Sequence, residues 1–106
     1  MAREKFQTLT EQMFYILLCL RRECCGVDIM DEAARMTGGQ VVIGPGTLYS
    51  LLDSFLTQGF IRETGVEGRR RSYRITPAGE RRLEEEYRRL LRQAGDYEAR
   101  REGETQ

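Results

Sequence analysis

The sequence predicts an α+β domain, mostly α, on three observations. A helix opens at Gly44-Pro45-Gly46-Thr47-Leu48-Tyr49 and stops at Gly59. Two short apolar runs flank Gly65-Val66-Glu67-Gly68-Arg69-Arg70-Arg71, which reads as the turn of a hairpin. A long amphipathic helix follows Thr76-Pro77. With the segments before them, the order is helix, helix, short strand, helix, two-strand hairpin, helix. That is the order of a winged helix-turn-helix with an additional C-terminal dimerisation helix.

Each element has a local cause. Thr8-Leu9-Thr10-Glu11 has the spacing of a capping box, with Glu11 facing back to Thr8, and predicts a first helix to about Glu23. Its apolar positions Met13, Phe14, Ile16, Leu17, Leu18 and Leu20 cover more than one face, so it is expected at the centre of the core. Gly26 breaks it. A second helix is expected from Val27 to Met36, with Ile29, Met30, Ala33 and Met36 facing in and Gly38-Gly39 ending it. Val41-Val42-Ile43 reads as the short strand. In the third helix Pro45 sits where no hydrogen bond is lost, and Leu48, Leu51, Leu52, Phe55 and Leu56 form one apolar face. Strands are expected over 60–64 and 71–75, with Tyr73 and Ile75 on one side and Ser72 and Arg74 on the other. Thr76 and Pro77 cap the last helix, whose stripe is Leu83, Tyr87, Leu90, Leu91, Ala94 and Tyr97. Glu84/Arg88 and Glu85/Arg89 are expected as ion pairs on its solvated side. The expected organisation is a DNA-binding domain over 1–76, a dimerisation helix over 77–99 and a frayed tail over 100–106.

Composition narrows the function. A chain of 106 residues with 40% apolar and 32% charged side chains is globular, with room for a modest core and no enclosed active site. It has no histidine, no phosphate-binding glycine loop and no paired carboxylates set for a pocket, so an enzyme is not expected. The apolar run Met13 to Leu20 is too short to cross a bilayer, and Met1 to Gln7 does not read as a signal peptide. A cytoplasmic location without membrane contact is expected. Cys19, Cys24 and Cys25 lack zinc-ligand spacing and are odd in number, so they read as small buried residues, with a redox or soft-metal role as the alternative. No metal or cofactor is expected.

The formal net charge is zero, from 17 basic and 17 acidic residues, but its distribution is uneven. From Arg62 to Arg74 five arginines face only Glu63 and Glu67. Residues 44–60 contain no base and a single acid, Asp53. A helix with a readable polar face beside an arginine-tipped hairpin suits a duplex groove and its phosphate backbone. The candidate DNA-binding residues are Gly44, Pro45, Thr47, Tyr49 and Ser50 on the helix, and Arg69, Arg70, Arg71 and Tyr73 on the hairpin. The plainer reading is a solvated helix face with Tyr49 lying back on the domain, and an ordinary solvated charge run. A domain this small has little core left to cover the last helix, whose stripe over 77–98 is roughly 33 Å long. A second copy is the natural cover, which makes Leu83, Tyr87, Leu90, Leu91, Ala94 and Tyr97 the candidate dimerisation residues. The competing class is a winged helix that docks a protein by the same surface. Such a module has no need of concentrated arginine.

These residues resemble the PadR family of bacterial transcriptional regulators. The resemblance lies in Leu9-Thr10-Glu11 with Phe14-Tyr15-Ile16-Leu17, Gly26-Val27-Asp28-Ile29-Met30 and Ile43-Gly44-Pro45-Gly46-Thr47-Leu48-Tyr49. It continues through Gly59-Phe60-Ile61, Arg69-Arg70-Arg71-Ser72-Tyr73 and Ile75-Thr76-Pro77-Ala78-Gly79, and spans residues 9–97. It implies a homodimeric repressor on double-stranded DNA, with an inverted-repeat operator, a small-molecule effector of unknown identity, and dimerisation of the C-terminal helix against the partner's N-terminal helix. The short C-terminal region is similar to the compact branch of the family. Val27 stands where an aromatic is usual, and Ser54 where a base is common. The chain has no tryptophan, so drug binding between paired indoles does not carry over.

Overall fold

The computed structural model describes residues 8–104, with side chains described for 8–101. The described elements are α1 (Glu11–Cys19), β1 (Cys24–Cys25), α2 (Gly26–Met36), α3 (Pro45–Gln58), β2 (Ile61–Glu67), β3 (Arg70–Ile75) and α4 (Pro77–Glu104). The fold is mostly helical with a small antiparallel sheet, as expected, but the sheet is built differently. Its order is β1-β3-β2, and its third strand is Cys24–Cys25 rather than 41–43. Val41 and Ile43 are buried and Val42 exposed, so that segment alternates as an extended chain does, but it pairs with no strand.

The N-terminus of α1 also departs from expectation. Thr10, not Thr8, is the cap: its Oγ1 accepts from the Met13 N–H at 3.2 Å, and Met13 Sδ accepts from the Thr10 N–H at 3.4 Å. Glu11 then lies inside the first turn, where its charge suits the helix dipole. The helix ends at Cys19, short of Glu23, because the chain must turn to deliver Cys24–Cys25 to the sheet. Ile16, Leu17 and Leu20 are fully buried and meet Ile29 and Ala33 of α2 and Leu48, Leu52 and Phe55 of α3 in one core. Met36, expected inside, is exposed.

Gly59 ends α3 at φ +78°, a left-handed position that glycine adopts without a Cβ penalty. At the tip of the hairpin Gly68 has φ +63° while Arg69 keeps a negative φ, the pattern of a type II′ turn. The turn is therefore only Gly68-Arg69, and the strands reach further toward it than expected. A bulge between Glu63 and Gly65 adds one residue to β2. Thr76 caps α4 as predicted, its Oγ1 accepting from the Gly79 N–H at 3.1 Å and donating to the Gly59 carbonyl at 2.6 Å.

α4 is anchored by its first part. Leu83 is buried, and so is Glu86, at 2% exposure. The Leu9 N–H donates to Glu86 Oε1 at 3.1 Å, and Arg89 pairs with the same carboxylate. Burial pushes the Glu86 carboxyl up, but the hydrogen bonds from Arg89 and Leu9, with the charges of Arg89 and Arg82, outweigh it and hold the group below its ordinary value. Arg89 thus serves Glu86 and not Glu85, while Arg88 pairs with Glu84 as expected. The helix continues past 99 as far as Glu104, so the expected fraying of 100–106 does not describe its start; the rest of that tail and Met1 to Gln7 lie outside the described residues.

Gly79 marks the closest approach of α4 to the hairpin. A Cβ there would lie 2.1 Å from the Phe60 carbonyl oxygen and 2.7 Å from Ile75 Cγ1. The carbonyl is backbone and cannot step aside. Gly79→Ala is therefore expected to destabilise the protein by about 2–3 kcal/mol in denaturant unfolding. Gly95→Ala, on the same helix with nothing within 4 Å, should be neutral or slightly stabilising.

Candidate nucleic-acid interface

The surface predicted from the sequence is built from three elements. Gly44 caps α3 and Pro45 opens it, leaving Thr47, Tyr49 and Ser50 exposed along the first turns. The hairpin of β2 and β3 stands beside this helix as the wing. The start of α2 lies between them, because Cys24 and Cys25 pair with Tyr73 and Ser72 of β3 and α2 begins at the next residue.

These elements enclose a cleft of about 440 Å³ lined by Cys25, Gly26, Val27, Tyr49, Asp53, Arg69, Arg70, Arg71 and Tyr73. The cleft brings together Tyr49, the three arginines and Tyr73 of the predicted set. Gly44, Pro45, Thr47 and Ser50 do not line it; they lie on the exposed start of α3. Tyr73 requires a correction. It is only 5% exposed and its ring belongs to the core, so it supports the interface from beneath and is not a free DNA-contacting side chain. Its burial, and then the charge of Glu63, push its hydroxyl above the ordinary tyrosine value, which keeps it protonated at neutral pH.

Tyr49 is 45% exposed, and it leans on Gly26. A Cβ at Gly26 would lie 2.9 Å from Tyr49 Oη and 3.0 Å from Cε1. The ring thus rests on bare backbone at the start of α2 and presents its other face to solvent. Tyr49 lies back on the domain, as the plainer reading has it, while about half of its surface stays exposed.

Two wing arginines are held by neighbours. Arg71 Nη1 sits 2.7 Å from Glu63 Oε2 on the adjacent strand, and that hydrogen bond raises the Arg71 pKa further. Arg70 Nη2 donates to Cys25 Sγ at 3.0 Å and lies 3.7 Å from Asp28 Oδ2. Cys25 in turn donates to Asp28 at 3.2 Å. Cys19 and Cys25 are buried and Cys24 half-buried, all three unbridged. Burial pushes the thiols of Cys19 and Cys24 up to about 11.

Sequence reasoning missed several contributors. Gly26 and Asp28 stand in a stretch that reads only as a helix start. Arg62 and Arg74 face one another across β2 and β3, both exposed, on the side of the sheet away from the core. Like charges directly opposite are unfavourable in a sheet, and the alternation of Tyr73 and Ile75 against Ser72 and Arg74 is the signal in the sequence for that outer face.

The PadR-like transcriptional regulator family matches residues 16–85, more than half of the chain. The chain belongs to the PadR-like family of transcriptional regulators. Solved structures agree in fold. A transcriptional regulator from Clostridium thermocellum superposes with a TM-score of 0.73 at 27% identity, over 81% of this chain and 85% of that one. RosR from H. salinarum gives 0.67 at 24% identity, over 80% of this chain and 76% of that one. A PadR family transcriptional regulator from Eggerthella lenta gives 0.65 at 23% identity, over 79% and 71%. The search of curated proteins found no match. Among the described residues no helix is long and apolar enough to cross a membrane.

In this PadR-like chain the Gly26–Tyr49 contact offers a way to move Tyr49 without disturbing the core. The atom that an added methyl would strike is the far end of an exposed side chain, which can swing away. Gly26→Ala is expected to keep a melting temperature close to wild type while lowering affinity for duplex DNA severalfold, measured by fluorescence anisotropy. A parallel loss of stability would show instead that the contact is structural.

Proposed function

We propose that this chain is a sequence-specific, DNA-binding repressor that acts as a homodimer on an inverted-repeat operator and responds to a small-molecule effector. The observation that carries the DNA-binding part is the cleft between α3 and the wing. Three arginines from one hairpin converge there on the polar face of a helix that is exposed from Gly44 to Ser50 except for Leu48. In this reading Thr47, Tyr49 and Ser50 meet base edges and phosphates in the major groove, while Arg69, Arg70 and Arg71 meet the backbone. α3 carries no base, so it reads shape and sequence; the wing supplies charge. Repression and effector response rest on the resemblance to PadR-like regulators. We propose no enzymatic role, cofactor or metal.

The homodimer rests on α4. In the single chain Tyr87, Leu90, Leu91 and Tyr97 are exposed, and Ala94 lies among them. Tyr97, at 64% exposure, and its neighbours would be an aggregation liability in water if left uncovered. Residues 1–76 then form the DNA-binding unit and 77–99 the dimerisation helix. A two-fold dimer would present two α3 helices about one duplex turn apart, roughly 34 Å.

Salt dependence tests the division of labour. Changing Arg69, Arg70 and Arg71 together to Ala should weaken binding to both operator and random duplexes. The slope of log affinity against log salt should fall by about 0.9 for each phosphate that is no longer neutralised. Tyr49→Ala should reduce operator affinity more than random-duplex affinity and leave the slope nearly unchanged. Leu90→Asp with Leu91→Asp should yield monomers by sedimentation that no longer hold operator. An unaltered salt slope in the arginine variant would favour a protein-docking winged helix, and a wild-type chain that sediments as a stable monomer at micromolar concentration would exclude the dimer.

A further inference from the structure

The arginines of the wing do not stand free in the cleft. Arg71 is closed on Glu63 at 2.7 Å, and Arg70 lies 3.7 Å from Asp28. Asp53 projects from α3 into the same space. Of the three arginines that line the cleft, only Arg69, at the turn, has no carboxylate within salt-bridge distance among the described residues. The cleft that the sequence marks as strongly basic is therefore close to electroneutral. Neither pair is required by the fold: both arginines are more than half exposed, the Arg71 pair joins two strands already paired, and the Arg70 pair joins β3 to α2, which follows directly on the paired strand β1. An exposed ion pair of this kind is worth about 0–1 kcal/mol. That is too little to matter for folding, yet comparable to the net gain from one phosphate contact that must first break it.

We propose that Glu63 and Asp28 are specificity-determining residues, internal counterions that keep Arg71 and Arg70 from engaging DNA of arbitrary sequence. The proposal rests on the DNA-binding reading above and adds regulation of the same cleft. Binding without sequence preference draws almost wholly on phosphate charge. On a random duplex the pairs stay closed, because exchanging a carboxylate for a phosphate gains little, and Asp53 repels the approaching backbone. On an operator the base contacts of α3 draw the duplex in until phosphates lie against the wing. The carboxylates then yield and both arginines transfer to the backbone. Operator and random DNA thus differ in how many phosphates they neutralise, not only in base contacts.

The test is Glu63→Gln in the full-length chain, titrated with salt on two probes: a random-sequence duplex, and an operator duplex selected from a random pool. The substitution keeps the side chain's size and removes its charge. On the random duplex affinity should rise about two- to fivefold, and the salt slope should steepen by up to about 0.9. On the operator the slope should not change. In an Arg71→Ala background the effect of Glu63→Gln should vanish. Asp28→Asn provides a second variant on a different element and should act in the same direction through Arg70. An unchanged random-duplex slope in Glu63→Gln, or a gain that persists without Arg71, overturns the proposal. Failure of the wild-type chain to bind either duplex would instead overturn the DNA-binding reading, so the two failures are distinct.

Discussion

The surface proposed to face DNA depends on a pairing of only two residues. Cys24 and Cys25 form a strand opposite Tyr73 and Ser72, and the Leu20 carbonyl accepts from the Ile75 N–H at 2.8 Å beside it. A two-stranded hairpin alone is marginal in water, whereas a third strand and helix packing stabilise it. Here the third strand comes from the segment between α1 and α2. Because α2 starts at the next residue, the same pairing sets the wing against the start of α2. Tyr49 of α3 rests on Gly26 at that start. Beyond the shared core, one short ladder and one bare backbone contact set wing, α2 and α3 against one another at this surface. Loss of either would let Arg70 and Arg71 drift relative to the face of α3.

Electrostatics explains how a chain of zero formal charge can address a polyanion. Basic and acidic residues are equal in number, and even the cleft nearly balances. Within the cleft Arg69 has no carboxylate partner, while Arg70 and Arg71 are held by Asp28 and Glu63. Elsewhere a carboxylate has the opposite duty. Glu86 is buried but satisfied by Leu9 and Arg89, and it fastens the base of α4 to the entry of α1. The outer part of α4 then runs clear of the domain, with Tyr87, Leu90, Leu91 and Tyr97 exposed along it.

Much of this is legible in the sequence, for local reasons. Pro45 and Gly59 bound α3 because each has a backbone role that few other residues fill. Thr76-Pro77 starts α4 for the same reason, and the alternation through Tyr73 and Ile75 marks β3. What is not legible depends on tertiary partners. A two-residue strand has no periodicity to read, so Cys24–Cys25 is invisible while Val41-Val42-Ile43, with better strand residues, draws the assignment. Thr8 has the capping-box spacing to Glu11, whereas the cap is Thr10, whose third following residue is Met13, a residue that gives no such signal in a sequence. Glu86 lies among charged residues on a helix, and its burial follows from Leu9 lying across it. Tyr73 reads as a DNA contact by its place on the wing, although its pairing with Ile75 on one face already argues for the core. The ion pairs that mask Arg70 and Arg71 join residues 42 and 8 positions apart, and their partners are not implied by any local pattern.

The proposed seat of the duplex backbone is the cleft between α3 and the wing. Amide chemical-shift mapping tests it most directly, by titrating a short duplex into the isotopically labelled chain at low salt. The largest shifts should cluster at Gly26, Val27, Tyr49 and Arg69–Tyr73, while the amides of Leu90 to Tyr97 stay in place. Shifts confined to α4, or none at DNA concentrations that saturate a winged helix of this family, would contradict it.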